Sequence, residues 1–584
     1  MTHINKTLFL IYCIIISEIK SIVSKFEYLL YFIRNIDLYK YIFFIFNKNK
    51  IIPFKSKAFE NYIKENRSKW KNLDHKIDGK EKILIENFIN QAAYGMSNAI
   101  IGKYLSKINN NDLIGFIRDG DIKSEVIFRS FGIKNFIFFK KKNFFLRIKY
   151  ILIAFKLTNN INNIKDYCKI KIKNIDIGLP SYDSFIRYAG IPTINNINVD
   201  LILFLSDTLY AYYEFESILK KNSNIKHLIQ SETAFSPLNI FFQVSLKRKI
   251  KVYSRLGTDK FSIRRYDDFD QRYYYRANIS QKLFDEVYKN FSKSCNRDIK
   301  NYYLKLEKKG FFGQDLRIRA KLKNKLKNIT RNQILKKFNW NKEKKIVVFF
   351  FNHLIDVNFH SGPRTIFQDN YTWSKFILKK MCKIKNVNWI IKDHPSQPFY
   401  KSKLNFEEMV KNLEKNYDHI KSFKLIWNPS SIKKICDIAI TSHGTVGIEY
   451  PSFGITSLYV ENSFYSNIKI IKKISNIEEL NTKLKNLNKL KKISRSTKDK
   501  SNSFLYIRYI LLQNKCSLIS EHDTSRQINE DNFWNENAKL SKKFSFINDE
   551  LFQMFKFQLK YNLRHTVNIN KLSLKKKNYN DLSE

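Results

Sequence analysis

Short unbroken apolar runs that end in polar turns recur along this chain, and most are followed by stretches with apolar residues at helical spacing. Residues 113–117 are one such run, Asp119-Gly-Asp121 is its turn, 122–131 read as a helix stopped by Gly132, and 136–139 as the next strand. Residues 201–205 and 225–229 read as further strands. The second ends in the loop Gln230-Ser-Glu-Thr233, before a helix entered at Ser236-Pro237 and a strand over 250–253. Residues 80–101 carry apolar positions at near-helical spacing until Asn109-Asn-Asn111 breaks them. A second series begins with a strand over 345–351, a helix over 367–379 and a strand over 389–392 that runs into His394-Pro395. It continues with a strand over 437–441, a polar turn over 442–445, a helix over 446–453 closed by Gly454, and a strand over 456–460. Strands and helices alternating in this way build open parallel sheets, so the expected fold is α/β with two Rossmann-like domains.

Shifts of pattern and composition divide the chain into a helical segment over 1–80, a first α/β domain over 81–280 and a charged helical crossing over 281–340. A second α/β domain over 341–480 and a Lys/Asn/Ser-rich helical appendage over 481–584, loose and polar from Asn568, complete it. The apolar run over 8–16 is followed by Glu18 and Lys20 and is too short to span a bilayer. No small-residue cleavage site follows it, so residues 1–50 are expected to be helical and apolar on one face, packed on the body or lying on a membrane.

Charge changes this picture only a little. Lys plus Arg number 105 against 53 for Asp plus Glu, a formal net charge of +52. Such an excess points to nucleic acid or an anionic membrane surface. No zinc-finger, helix-turn-helix or RRM-type signature is present, so nucleic acid is not expected as a partner. The abundance of Ile, Asn, Lys, Phe and Tyr matches an AT-rich coding bias, which would spread lysines over solvated faces. The segment 140–155 interleaves lysines with Phe144, Phe145 and Tyr150; it suits a membrane interface or, as an ordinary amphipathic helix, a place on a sheet. The six cysteines are scattered with no Cys-x-x-Cys pair, which argues against a disulfide framework or a cysteine metal site and fits a cytoplasmic setting.

The chemistry gathers at predicted carboxyl ends of strands, where α/β proteins place working groups. The turn Ser442-His-Gly-Thr445 lies between a strand and a helix, where backbone N–H groups favour an anion. Ser and Thr before a helix are also ordinary caps. Glu449, one turn on, could accept from ribose hydroxyls. His394 is held at the same sheet edge by the proline after it, and a histidine there can donate to a phosphate oxygen or, when protonated, neutralise leaving-group charge. The loop from Asn352 to Arg364, with His353, Asp356 and His360, is dense in groups that bind or move protons. Glu232 ends a strand of the first domain.

Three blocks in order then resemble the C-terminal half of bacterial capsule and surface-polysaccharide glycosyltransferases of GT-B type. They are the His353–Asp356 and His360 loop leading to Phe367-Gln-Asp-Asn-Tyr-Thr-Trp373, then Asn388-Trp-Ile-Ile-Lys-Asp-His-Pro395, and Thr441-Ser-His-Gly-Thr-Val-Gly-Ile-Glu449 with Tyr465-Ser466 after it. Asp393 stands where the family usually has proline in Lys-Pro-His-Pro. In the first half, Gly178-Leu-Pro-Ser-Tyr-Asp-Ser-Phe-Ile-Arg187 resembles the family's Gly/Tyr-Asp/Arg segment, and Gln230-Ser-Glu232 replaces the histidine relatives tend to carry.

The resemblance implies two Rossmann-like domains facing a central cleft, with helical additions at both ends. It implies sugar transfer from a nucleotide-sugar donor to a glycan or lipid-linked acceptor of a surface polysaccharide or lipopolysaccharide. Lys392, His394, Ser442, His443, Gly444, Thr445 and Glu449 would hold the nucleotide. Asp119-Gly-Asp121 is read as a turn, and neither a metal nor a tightly bound cofactor is expected. An inverting transfer needs a base for the acceptor hydroxyl; Glu232, then Asp356, then Asp183 are the candidates, with His394 at the leaving phosphate. The expected location is cytoplasmic, peripheral on the inner face of the membrane. Two other classes stay open: a UDP-sugar 2-epimerase of the same fold, and a non-catalytic membrane- or glycan-binding scaffold.

Overall fold

A computed structural model describes residues 3–36, 54–73, 79–89, 91–257, 260–308, 326–359, 361–394, 402–404, 406–424, 426–520 and 530–571. His360, Pro395 and the polar tail from 572 therefore lie outside the described residues, as does the middle of the charged crossing. In chain order the strands are β1 (Lys82–Asn87), β2 (Asp112–Arg118), β3 (Asn135–Phe139), β4 (Lys171–Ile172), β5 (Ile175–Asp176), β6 (Ile225–Ile229) and β7 (Lys251–Gly257). They continue with β8 (Lys260–Tyr266), β9 (Ile346–Phe350), β10 (Asn388–Lys392), β11 (Ile420–Ser422), β12 (Ile438–Thr441), β13 (Thr456–Tyr459) and β14 (Asn514–Lys515). The described residues form two compact units, one within 3–182, 196–272 and 512–571, the other within 183–195 and 273–511.

The first unit is built on a seven-stranded sheet in the order β14-β8-β7-β6-β1-β2-β3. From β7 to β3 every pairing is parallel; β8 and β14 extend the edge antiparallel. Its interior strand β1 falls in the stretch expected to be helical. Ile83, Leu84 and Ile85 are completely buried, and a strand covered on both faces shows no alternation, so periodicity does not distinguish it from a buried helix. The helix that follows, Ala92–Asn109, ends at Asn110 in the left-handed region, φ 58°. A side chain on its Gly102 would place Cβ 2.3 Å from Ile85 Cδ1, so the glycine permits the close helix–strand approach.

Two further expectations are corrected here. Residues 201–205 are the start of a long helix, Val199–Lys221, whose first turn is capped by the Asn198 side chain accepting from Leu201 N–H. The C-terminal appendage is not an appendage: from residue 512 it completes the first unit. β14 pairs with β8, Thr566 Oγ1 accepts from Ile263 N–H at 2.7 Å, and helix Glu530–Lys543 packs on helix Lys57–Leu73. There Trp534, fully buried, stands 4.6 Å from the Phe59 ring and 5.1 Å from the Tyr62 ring. The N-terminal segment is one continuous helix, His3–Asn35, of 33 residues. Its part from Thr7 to Asn35 is long and apolar enough to cross a membrane, so the shortness of the 8–16 run no longer excludes a span.

The second unit holds a five-stranded sheet, wholly parallel, in the order β11-β10-β9-β12-β13. Counted from the first strand of each unit's parallel set, both sheets run 3-2-1-4-5, the doubly wound order. The strands β9, β10, β12 and β13 fall where the apolar runs place them; β11, three residues long, gives no sequence signal. Helix Gln281–Lys308, expected in a crossing between domains, packs along helix Arg495–Tyr506 and is part of this unit's body.

Candidate functional site

In a doubly wound sheet, neighbouring connections leave opposite faces where the strand order reverses, which opens a crevice at the carboxyl ends of the two strands there. In the second unit those strands are β9 and β12. β10, on the other side of β9, delivers His394 to the same edge: Phe351 N–H donates to Lys392 O at 2.9 Å and so extends the ladder by one residue. Beyond it His394 N–H donates to Asp393 Oδ1 and Lys392 Nζ to Asp393 O, both at 2.7 Å, which fixes the chain as it leaves the strand. The His394 ring meets the His353 ring edge-on, centroids 5.8 Å apart. Desolvation by the surrounding protein pushes the imidazole down to about 4, against the Asp356 carboxylate, which raises it, while Lys392 lowers it further. Of the two roles expected for His394, this favours donation from the neutral ring over neutralisation of charge by a protonated one.

The turn after β12 is held to the end of β9. Asn352 Oδ1 accepts from Ser442 N–H at 3.0 Å and from Thr441 Oγ1 at 3.3 Å, and Thr441 Oγ1 in turn accepts from Gly444 N–H at 3.2 Å. Arg364 Nη2 donates to Ser442 Oγ at 2.7 Å. The same guanidinium donates from Nη1 to Asn370 Oδ1 and lies 3.8 Å from Glu461, both side chains almost fully buried. Glu461 also accepts from the backbone N–H groups of Thr365, Ile366 and Phe367. Tyr465 Oη donates to Gly444 O at 2.9 Å, and a Cβ on Gly447 would lie 2.0 Å from that hydroxyl. Helix Val446–Ser452 has only seven residues, so its dipole is small. Side chains and turn N–H groups must therefore do most of any anion binding.

A second thread of contacts reaches the carboxylates. Asp183 accepts from Asn358 N–H at 3.0 Å and from Asn358 Nδ2 at 3.1 Å. Burial pushes its carboxyl up to about 7; the Asn358 donors oppose this and the nearby Asp356 adds to it. Arg187, one turn further on helix Gly178–Ala189, stands 3.5 Å from Asp356. Asn358 Oδ1 accepts from Asn370 N–H, and Asn370 Nδ2 donates to His353 O, each at 2.9 Å. The hydrogen bonds thus run from Asp183 through Asn358, Asn370 and Arg364 to Ser442, and the two histidine rings join at His353.

Of the residues expected at the site, Lys392, His394, Asp356, Ser442, His443, Gly444 and Thr445 are all in this unit, at or beyond the carboxyl ends of β9, β10 and β12. His443 Nδ1 is 3.3 Å from Ser442 Oγ. Glu449 is there too, but its carboxylate already receives Tyr509 Oη at 2.6 Å and Thr445 Oγ1 at 3.2 Å, and burial holds its carboxyl above the usual range. A ribose hydroxyl would have to share an oxygen with one of these donors. Glu232 is in the first unit, where its Oε1 accepts from the N–H groups of Thr233 and Ala234 and stiffens its own loop. Beside it Ser231 donates through N–H at 3.2 Å and Oγ at 3.1 Å to Glu86, which burial pushes up to about 7.

The residues that sequence reading did not single out are Asn352, Asn358, Arg364, Asn370, Glu461 and Glu86. The first three lie in the loop already marked as dense in polar groups. Glu86, an acid inside an apolar run, was hidden by the reading of that run as helix. Among the described residues no three His, Cys, Asp or Glu side chains converge as a metal-ligand set.

No protein-family model matches the chain, and no curated protein sequence matches it. Among solved structures it is similar to the KpsC β-Kdo 2,4 transferase of Thermosulfurimonas dismutans, at 9% identity over 50% of this chain and 82% of that one, TM-score 0.27. It is similar to a glycosyltransferase from Rickettsia africae, at 12% identity over 74% and 94% of the two chains, TM-score 0.24. A UDP-GlcNAc 2-epimerase from Neisseria meningitidis, bound to UDP-GlcNAc, matches at 11% identity over 73% and 98%, TM-score 0.21. All of these TM-scores are below 0.5.

Proposed function

We propose that the chain is a glycosyltransferase that moves a sugar from a nucleotide-sugar donor to a glycan or lipid-linked acceptor, with the donor held by the second unit. The observation that carries this reading is the network at the β9–β12 switch point, which ties Ser442 to Arg364 and Asn352 and draws His353, His394, Asp183 and Asp356 to one sheet edge. Ser442 Oγ accepts from Arg364, and its own proton, turned from His443 Nδ1 at 3.3 Å, would donate to a phosphate oxygen. The Gly444–Thr445 turn would add backbone N–H groups, and Lys392 a positive charge. His394, neutral, would donate its ring N–H to the leaving phosphate as the glycosidic bond to the donor breaks.

An acceptor hydroxyl must lose its proton as it attacks. Asp183, with its carboxyl near 7, suits a base that works close to neutral pH. Asp356 and, in the first unit, Glu232 are the other carboxylates proposed for that task. The donor is a substrate rather than a bound cofactor.

Calorimetry of the purified protein against CMP, UDP, GDP and CDP tests the reading, with His394→Ala as the control. One nucleotide is expected to bind, at least ten-fold more weakly to the variant. Failure of all four to bind a protein that melts cooperatively would remove the transferase reading. With UDP-GlcNAc alone, turnover that needs no acceptor would favour the epimerase instead.

A further inference from the structure

Helix His3–Asn35 exposes an apolar row along its outer face. Leu8, Ile15, Ile19, Ile22, Phe26 and Leu29 are each 51–65% exposed and recur at intervals of seven, four, three, four and three residues, so they lie on one side. At a rise of about 1.5 Å per residue the helix is about 50 Å long. The row from Leu8 to Leu29 covers about 32 Å of it, far more than the scattered surface hydrophobics of an ordinary soluble domain.

Beside and behind this row the helix is fastened to the first unit. Cys13 is fully buried, the Phe9 and Phe155 rings are 6.3 Å apart, and both oxygens of Glu18 accept from Arg147, each at 2.6 Å. Lys20 Nζ pairs with Asp200 at 2.8 Å. Contacts 9–155 and 18–147 run in opposite senses, so helix Phe144–Thr158 lies antiparallel beside the first. It presents Phe145, 78% exposed, with Lys149, Leu152 and Lys156 at four- and three-residue steps on one side. Two adjacent helices therefore carry exposed apolar rows, one of them interleaved with lysines.

We propose that this two-helix layer is a docking surface for an anionic lipid bilayer, with helix His3–Asn35 lying in the plane of the interface rather than crossing it. Crossing would strip Glu18 and Lys20 from Arg147 and Asp200 and carry both into hydrocarbon. Lying flat keeps those pairs and sinks the apolar row into the acyl boundary, where Lys149 and Lys156 reach lipid phosphates. A second copy of the chain is the poorer occupant, because it brings the same lysines beside the same stripe and the same charge of +52. The proposal is independent of the transferase reading, since nucleotide binding is read on the other unit.

Flotation of the full chain with phosphatidylglycerol/phosphatidylcholine vesicles tests it, with phosphatidylcholine alone for comparison. Binding to the anionic vesicles is expected, weakening as salt rises. Ile15→Glu with Ile22→Glu should reduce it at least ten-fold without lowering the melting temperature or nucleotide binding. Lys149→Glu with Lys156→Glu should reduce it several-fold on anionic vesicles only. A Glu18→Cys, Arg147→Cys cross-link, verified by mass spectrometry, should leave binding intact; its loss would overturn the in-plane arrangement. A folded wild-type chain that stays unbound, or a dimer that the Ile15→Glu, Ile22→Glu pair converts to monomer, would overturn the lipid assignment.

Discussion

Arg364 donates to the hydroxyl of Ser442 at 2.7 Å while its guanidinium stands 3.8 Å from Glu461, out of water. One planar cation thus orients the turn after β12 and balances a buried acid. Arg364→Ala leaves Glu461 without its cation, and breaking a buried pair of this kind costs about 3 kcal/mol. Urea unfolding should show that loss. Arg364→Lys keeps the charge but cannot reach Ser442, Asn370 and Glu461 together, so nucleotide affinity should fall about ten-fold with a smaller loss of stability.

Gly447→Ala puts a methyl 2.0 Å from the hydroxyl of buried Tyr465, which donates to Gly444 O. Tyr465 must move and the turn must give up that bond, so a loss of about 1–3 kcal/mol is expected. Tyr465→Phe in the same chain removes the clashing oxygen and should restore part of it. Equal stability of Gly447→Ala and wild type would show that the turn adapts freely.

Asp183 has its carboxyl raised from the ordinary 3.8 to about 7. The unfolded chain loses that proton near 4, the folded chain only near 7, so the folded state binds more protons between those values. The contribution to stability is whole below pH 4 and is lost as pH rises to 7. Asp183→Asn keeps an oxygen to accept from Asn358 and should abolish this trend. The stability difference between variant and wild type, read by urea unfolding at pH 4.5 and 7.5, should change by about 2–4 kcal/mol.

His394 gives the opposite sign. Its folded value lies near 4 against an ordinary 6.5, so acid protonates the unfolded chain first and stability falls as pH drops from 6.5 to 4. His394→Gln should flatten that fall by up to about 3 kcal/mol. Titration of the nucleotide's own terminal phosphate at about pH 6 gives a step in affinity, and with the ring neutral above about pH 5 wild type and His394→Gln should show the same step. A larger step in wild type alone, in calorimetric titrations, would mean that the bound histidine is charged.

Trp534→Ala removes a buried indole from between Phe59 and Tyr62 and should cost about 3–5 kcal/mol. Thermal melting would detect it as a loss in the first unit. A variant as stable as wild type would mean that helix Glu530–Lys543 is dispensable, as an appendage would be.

What the sequence by itself determined is local. The apolar runs at 113–117, 225–229, 345–351 and 389–392 announce strands because each is short, bounded by turn residues and followed by helical spacing. His394 and the Ser442–Thr445 turn were legible for the same reason, as polar residues where such runs stop. Tertiary structure decided the rest. β1 reads as helix because burial on both faces erases its period, and residues 201–205 read as a strand although the helix around them is buried over much of its circumference. The membership of residues 512–571 in the first unit depends on pairings across hundreds of residues, such as Ile263 with Thr566, which leave no local trace. The same is true of the site's wiring. Arg364 and Asn370 lie in stretches that the sequence marks and Glu461 in none, and Arg364 and Glu461 become a buried pair only when the loops after β9 and β13 fold against each other; the neutrality of His394 likewise follows from the protein packed around it.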